Sequence, residues 1–182
     1  KYNRLTPDKL SDIADIQEYV HGVIDWQAKW KASRFVAPFH YHRNVGDAWL
    51  ETDLKLLGEA VAYTRKTYKD ARIYAGICCN MEEYTVESNR LALLNRFSRQ
   101  SPDGFIFYGD EISETATNPA CLYAYVDLIR LFRRLGKPVT GARLGTLGLG
   151  VLAAGADRVT TGVAALTGFS ENNLLQNRQL GY

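Results

Sequence analysis

The sequence predicts an α/β chain on a parallel sheet, with the order of a (β/α)8 (TIM) barrel taken in part. Two observations carry this. Five short runs rich in β-branched, aromatic and small residues alternate with longer stretches of helical periodicity. Successive runs are also separated by the length of one βα unit and its loop. The chain of 182 residues shows no Pro/Ser-rich linker, low-complexity tract or compositional shift, so residues 1–182 read as one domain, the C-terminal portion of a barrel. A doubly wound open sheet is the other architecture that fits.

From about Pro7 to Lys31, Leu10, Ile13, Ile16, Val20 and Ile24 recur at helical spacing, so a helix comes first. The first strand is expected over Arg34–His40. Asp47 is positioned to cap a helix whose stripe is Leu50, Leu54, Leu57 and Val61. Strands follow at Arg72–Cys79 and Gly104–Gly109. Asn118-Pro119 starts the best-defined helix, Leu122, Val126, Ile129 and Phe132 form its buried face, and Gly136-Lys137-Pro138 stops it. Strands over Pro138–Arg143 and Arg158–Gly162 bracket a small-residue helix from about Thr146 to Ala154. The order reads αβαβαβαβαβ. Arg130, Arg133, Arg134 and Lys137 fall on the outer face and last turn of the Asn118 helix, where basic side chains meet solvent and complement the helix dipole.

Composition narrows the function classes. Hydrophobic residues make up 46% and charged residues 23%, an ordinary globular balance, and the formal net charge of +2 provides no field that selects a nucleic acid or a membrane. Nucleic acid remains a conceivable partner without support from charge. Its longest uncharged stretch, in the Leu144–Ala156 region, is too short and too rich in glycine to cross a bilayer. Cys78 and Cys79 are adjacent and no C-x-x-C occurs, so neither a disulfide framework nor a zinc site is indicated, and a reducing, cytoplasmic setting is expected. The chain opens on Lys1 and its single methionine is Met81, so a piece of a longer protein is expected.

The most informative stretch is Lys137–Gly168. A strand ends in Gly141-Ala142-Arg143, a helix of small residues follows, Gly155 breaks it, and the next strand runs into Thr161-Gly162. Glycines let backbone N–H groups approach an anion, and a helix start just after a strand turns its positive end toward it. Tight helix-on-sheet packing would use the same glycines. The pattern Gly141-Ala142-Arg143-x-Gly145, Leu152-Ala153-Ala154-Gly155-Ala156-Asp157-x-Val159 and Thr161-Gly162 resembles the last two strands of phosphate-binding (β/α)8 barrels such as FMN-dependent oxidoreductases, nitronate monooxygenases and IMP dehydrogenases. That resemblance spans about a sixth of the chain. It implies a phosphate held around Gly141, Arg143 and Gly162, with FMN as a possible cofactor. Gly141-Ala142 stands where the family often has Gly-Gly, and no histidine follows the Asp103-Gly104-Phe105-Ile106 strand, where hydroxy-acid oxidases carry theirs.

The order and spacing of Pro7–Gln17, Val36–His40, Tyr74–Cys79, Asp103–Glu111 and Lys137–Thr161 are also similar to the barrel of tRNA-guanine transglycosylases. Those enzymes carry an aspartate nucleophile at the end of the strand matching Arg158–Thr161, where this chain has Thr160 and Thr161. The second resemblance implies action on a nucleic-acid base.

Parallel sheets bind ligands beyond the carboxyl ends of their strands. The candidate residues there are His40, His42, Cys79, Asn80, Asp110, Glu111, Arg143 and Thr161. Asp110, Glu111 and His40 are the candidates for proton transfer, Asp110 or Glu111 also for holding ribose hydroxyls. His40 and His42, two apart on a strand, would point the same way and could chelate a divalent metal, although loop hydrogen bonds are the commoner use of such histidines. Cys78 or Cys79 reads more readily as apolar filler than as a nucleophile. The expected ligand is a phosphorylated small molecule or nucleotide. A non-catalytic structural or binding barrel would need the same glycines without a convergent polar set.

Overall fold

The computed structural model describes residues 5–110, 112 and 118–160. A 3-10 turn at Pro7–Leu10 leads into α1 (Ile13–Lys29), then β1 (Arg34–Val36), β2 (Tyr41–His42), α2 (Ala48–Thr67) and β3 (Arg72–Cys79). A second 3-10 turn at Glu83–Thr85, α3 (Glu87–Ser98), β4 (Gly104–Gly109), α4 (Pro119–Arg133), β5 (Val139–Gly141), α5 (Leu147–Ala153) and β6 (Arg158–Val159) complete it. The caps follow the sequence: Asp47 accepts from Trp49 N at 2.9 Å, and Asn118 from Ala120 N at 2.9 Å. The expected first helix divides into the 3-10 turn and α1, with Leu10 buried and Ile13 left 63% exposed.

All pairings are parallel and the order is β1-β3-β4-β5-β6, with β2 also on β3. Among the described strands the order does not reverse, so right-handed crossovers keep the connecting helices on one face. Phe35, Ile73, Ala75, Ile77, Phe105, Phe107 and Val139 point to that face and join Val20, Ile24, Leu50, Leu57 and Phe132 in the core. Their alternating neighbours Tyr74, Gly76, Cys78, Ile106 and Tyr108 occupy the other face. Two glycines there make room for rings: a Cβ on Gly76 would overlap Phe39, and one on Gly104 would overlap Tyr74.

The expected Arg34–His40 strand is interrupted. Val36 is opposite Tyr74 and Tyr41 opposite Cys78, so the outer strand spends one residue more than β3 over the same span. Such an extra residue bends the strand and re-aims its side chains. The interruption falls at Pro38, which cannot donate to a ladder. β5 and β6 are shorter than the Pro138–Arg143 and Arg158–Gly162 runs expected, and residues 161 and 162 lie outside the described residues.

The outward-facing groups of β1 are met by a side chain. Gln27 of α1 donates from Nε2 to Val36 O at 2.9 Å, and its Oε1 accepts from Val36 N at 2.8 Å. One amide thus supplies both bonds that a neighbouring strand would make.

Candidate functional site

Two polar clusters form where strands end. The first is organised by Asp53 of α2, whose carboxylate is 98% buried behind the β1–β2 interruption. Asp53 Oδ2 accepts from His40 N at 2.6 Å and pairs with His42 Nε2 at 2.8 Å, while Oδ1 pairs with His40 Nδ1 at 2.6 Å. Burial alone would push the Asp53 carboxyl up; hydrogen bonds from both histidines, with their charge, outweigh it and hold it below the usual aspartate range. His42 is fully buried and its Nδ1 has no hydrogen-bond partner among the described residues. The His40 ring stacks on Trp49 of α2 with centroids 3.7 Å apart, and Tyr19 of α1 lies beyond it at 6.5 Å.

When an imidazole donates Nδ1–H to a carboxylate, its neutral form carries the lone pair on Nε2, the arrangement that orients a proton acceptor. The bend at residues 37–40 makes this possible by bringing His40 and His42 onto one carboxylate. The two histidines do share a direction, as their spacing predicts, but they converge on Asp53. Among the described residues no group of three or more His, Cys, Asp or Glu side chains could hold a metal ion.

The second cluster lies on the face away from the helices. Tyr41 Oη donates to Asp110 Oδ2 at 2.6 Å, joining the ends of β2 and β4 across β3. Tyr108 stacks on Phe39 at 5.3 Å. Burial and the Cys78 thiol push the Tyr108 hydroxyl up, while the positive charge of Arg143 draws it back. Arg143 is a non-glycine residue at φ 59°, in the left-handed region. Its backbone N donates to Thr160 Oγ1 at 3.1 Å, and Leu144 N donates to Thr160 O at 3.1 Å, so the turn after β5 is tied to the end of β6.

His40 and Asp110, read from the sequence as partners, therefore belong to different clusters. Asp110 belongs to the second one, and Arg143 follows β5, the strand next to β4. Gly141 is closely packed: a Cβ there would stand 2.7 Å from Leu144 Cδ1, 3.1 Å from Tyr125 Oη and 3.2 Å from Val151 Cγ1. Gly148 likewise abuts Val159 at 3.1 Å. Glu111 and Gly162 lie outside the described residues. Cys78 and Cys79 are buried thiols that burial pushes well above their usual range, the state of packing groups. The basic end of α4 is engaged locally: Arg130 Nε donates to Ala154 O at 3.2 Å, and Arg133 pairs with Asp157 at 3.1 Å.

Asp53 and Tyr41 are the two functional candidates that sequence reasoning missed. Asp53 did leave a signal, a carboxylate three residues after Leu50 and four before Leu57 on the apolar stripe of α2. A charged residue there is buried only if paired. Compared with protein-family models and with curated proteins, the chain matches none. No described helix is long and apolar enough to cross a membrane.

Proposed function

We propose that the chain is a nucleotide-binding protein whose site is the carboxyl edge of the sheet on the face away from the helices. On this reading the sheet is an arc of a (β/α)8-type barrel, for which the unreversed strand order speaks. Arg143 receives the phosphate and Asp110, steadied by Tyr41, the ribose hydroxyls. The carrying observation is Arg143 itself, held at positive φ by Thr160 with its charge acting on Tyr108. A bulky residue in that conformation costs about 1 kcal/mol or more and persists where the surroundings enforce it. Two strand spacings, about 9.6 Å, separate Tyr41 on β2 from the β4 row that carries Tyr108, and Arg143 follows β5 one spacing further. A nucleotide is long enough to span from a hydroxyl-binding carboxylate to Arg143; inorganic phosphate engages one end alone. FMN, the cofactor implied by the resemblance, would present its phosphate to the same arginine.

The test is thermal stability in phosphate, AMP and FMN against chloride at equal ionic strength. A ligand at one hundred times its Kd adds about 2.7 kcal/mol to the native state. Arg143→Ala should weaken that gain by about 1.5–3 kcal/mol, the worth of a charged hydrogen bond, while Arg133→Ala, paired to Asp157 on the helix side, should leave it intact. Equal shifts in phosphate and chloride, or equal losses in the two variants, would sink the reading.

A further inference from the structure

Three buried side chains around the ends of β2 and β3 carry chemistry that packing alone does not ask for. The first is His42. Its Nε2 meets Asp53 Oδ2 at 2.8 Å, and a carboxylate accepts without donating, so that nitrogen is the donor. In the neutral ring the lone pair is then on Nδ1, which has no hydrogen-bond partner among the described residues although His42 is fully buried. An imidazole held by a carboxylate through one nitrogen, with its other nitrogen bare, has the form of a metal ligand. Metal-bound histidines almost always give their remaining N–H to a carboxylate, a carbonyl or water.

The other two side chains supply sulfur. His42 is opposite Cys79 in the β2–β3 register, so the two leave the sheet on the same face, one strand spacing of about 4.8 Å apart. Cys79 Sγ lies 3.9 Å from Met81 Sδ, and both residues are buried. With metal–sulfur bonds of about 2.3 Å, sulfurs at that separation subtend about 116° at an ion between them, close to a trigonal angle. Met81 makes the third ligand, which His, Cys, Asp and Glu alone do not provide among the described residues.

We infer that His42 Nδ1, Cys79 Sγ and Met81 Sδ form a closed, three-coordinate site for copper(I). Thiolate and thioether are soft ligands, the set that selects copper(I) among the common metals, and imidazole suits copper as well. Charge makes the same selection. Cys79 is the one ligand of the three that becomes an anion, so it neutralises a monovalent ion, whereas a divalent ion would keep a buried positive charge. Binding exchanges a proton for the ion: Cys79–SH and Cu+ give Cys79–S–Cu and H+, with no change of oxidation state. His42 and Cys79 end their strands, and the turn at residues 43–46 after His42 is largely exposed, so local opening there admits the ion.

The probe is silver(I), a redox-inert ion of the same charge and ligand preference, titrated into the intact, reduced protein, with zinc(II) as the contrast. Met81 is the single methionine of the chain, so its methyl group is one NMR resonance. One equivalent of silver(I) should shift that methyl and the His42 Nδ1 nitrogen together. Met81→Leu conserves core volume and should weaken silver(I) by about tenfold or more, at least the effect of losing an outer partner of a metal ligand. Cys79→Ser should abolish binding, while Cys78→Ser, on the other face of the sheet, should leave it unchanged. Zinc(II) should bind more weakly than silver(I). Silver(I) that does not bind, or binds without moving both resonances, would overturn the inference. So would equal affinity in wild type and Met81→Leu, equal losses in the two cysteine variants, or zinc(II) held as tightly as silver(I). No probe is a nucleotide, so the outcome is independent of the site at Arg143.

Discussion

Asp53→Ala is the substitution whose cost the structure defines most sharply. The carboxylate accepts from His40 N, His40 Nδ1 and His42 Nε2 at 2.6, 2.6 and 2.8 Å. Removing it strands three donors. His42 is fully buried and pays the whole penalty, whereas the His40 side chain, 20% exposed, can recover part of it from water. Each lost bond to a charged acceptor is worth about 1.5–3 kcal/mol. Against this stands the relief of no longer burying a carboxylate, so the net loss should be about 3–5 kcal/mol, the range for deleting one partner of a buried pair. With a urea slope of about 2 kcal/mol/M, the unfolding midpoint should fall by about 1.5–2.5 M, read from tryptophan fluorescence, to which Trp49 on the His40 ring contributes.

Acidity gives the same claim a second signature. The folded Asp53 carboxyl titrates below its unfolded value, so its contribution is complete above about pH 4, the ordinary aspartate value, and is lost as pH falls through the lower folded value. The gap between wild type and Asp53→Ala should therefore close below about pH 4. A midpoint drop under about 0.5 M at neutral pH is what a solvent-exposed pair would give. It would refute the buried three-bond arrangement.

Arg90 is buried on α3, with Nε on Asp127 Oδ2 at 2.7 Å and Nη1 on Tyr84 O and Thr85 O at 2.7 and 2.9 Å. Arg90→Met should cost about 2–4 kcal/mol, and Arg90→Lys should restore only part, because an ammonium cannot reproduce the guanidinium fork; full rescue by lysine in thermal unfolding would contradict this geometry. Gly141→Ala should cost about 1–3 kcal/mol through overlap with Leu144 and Val151. Gly150→Ala, whose Cβ would meet nothing within 4 Å inside α5, should gain about 0.5–1 kcal/mol. If both glycines respond alike, packing is not what distinguishes them.

What the sequence revealed and what it hid divide along physical lines. α2 and α4 were legible because their stripes and their caps, Asp47 and Asn118, are local signals, and the structure uses them as read. β3 and β4 were legible as apolar runs, since a parallel strand is covered on both sides. The interruption after Val36 was not, because the extra residue becomes visible only against the register of β3. That register aims His40 and His42 at Asp53, so the partner of His40 could not be found from strand ends alone. At Gly141 the sequence offered anion binding and packing for the same glycine, and its packing against Leu144, Tyr125 and Val151 becomes visible only with those side chains in place. Tyr41 gave no signal, since its link to Asp110 crosses a strand between residues far apart in the chain.

Backbone amide NMR during an AMP titration tests the central claim most directly, because it locates the site without presuming a reaction. The account predicts that the perturbed amides gather at Tyr41, Tyr108, Asp110, Arg143 and Thr160, that Arg143→Ala abolishes the response at all five, and that Gly150 and the end of α4 remain still. Perturbations gathered instead on α4 and α5, or none at AMP concentrations in the millimolar range that already marks weak binding, would contradict it.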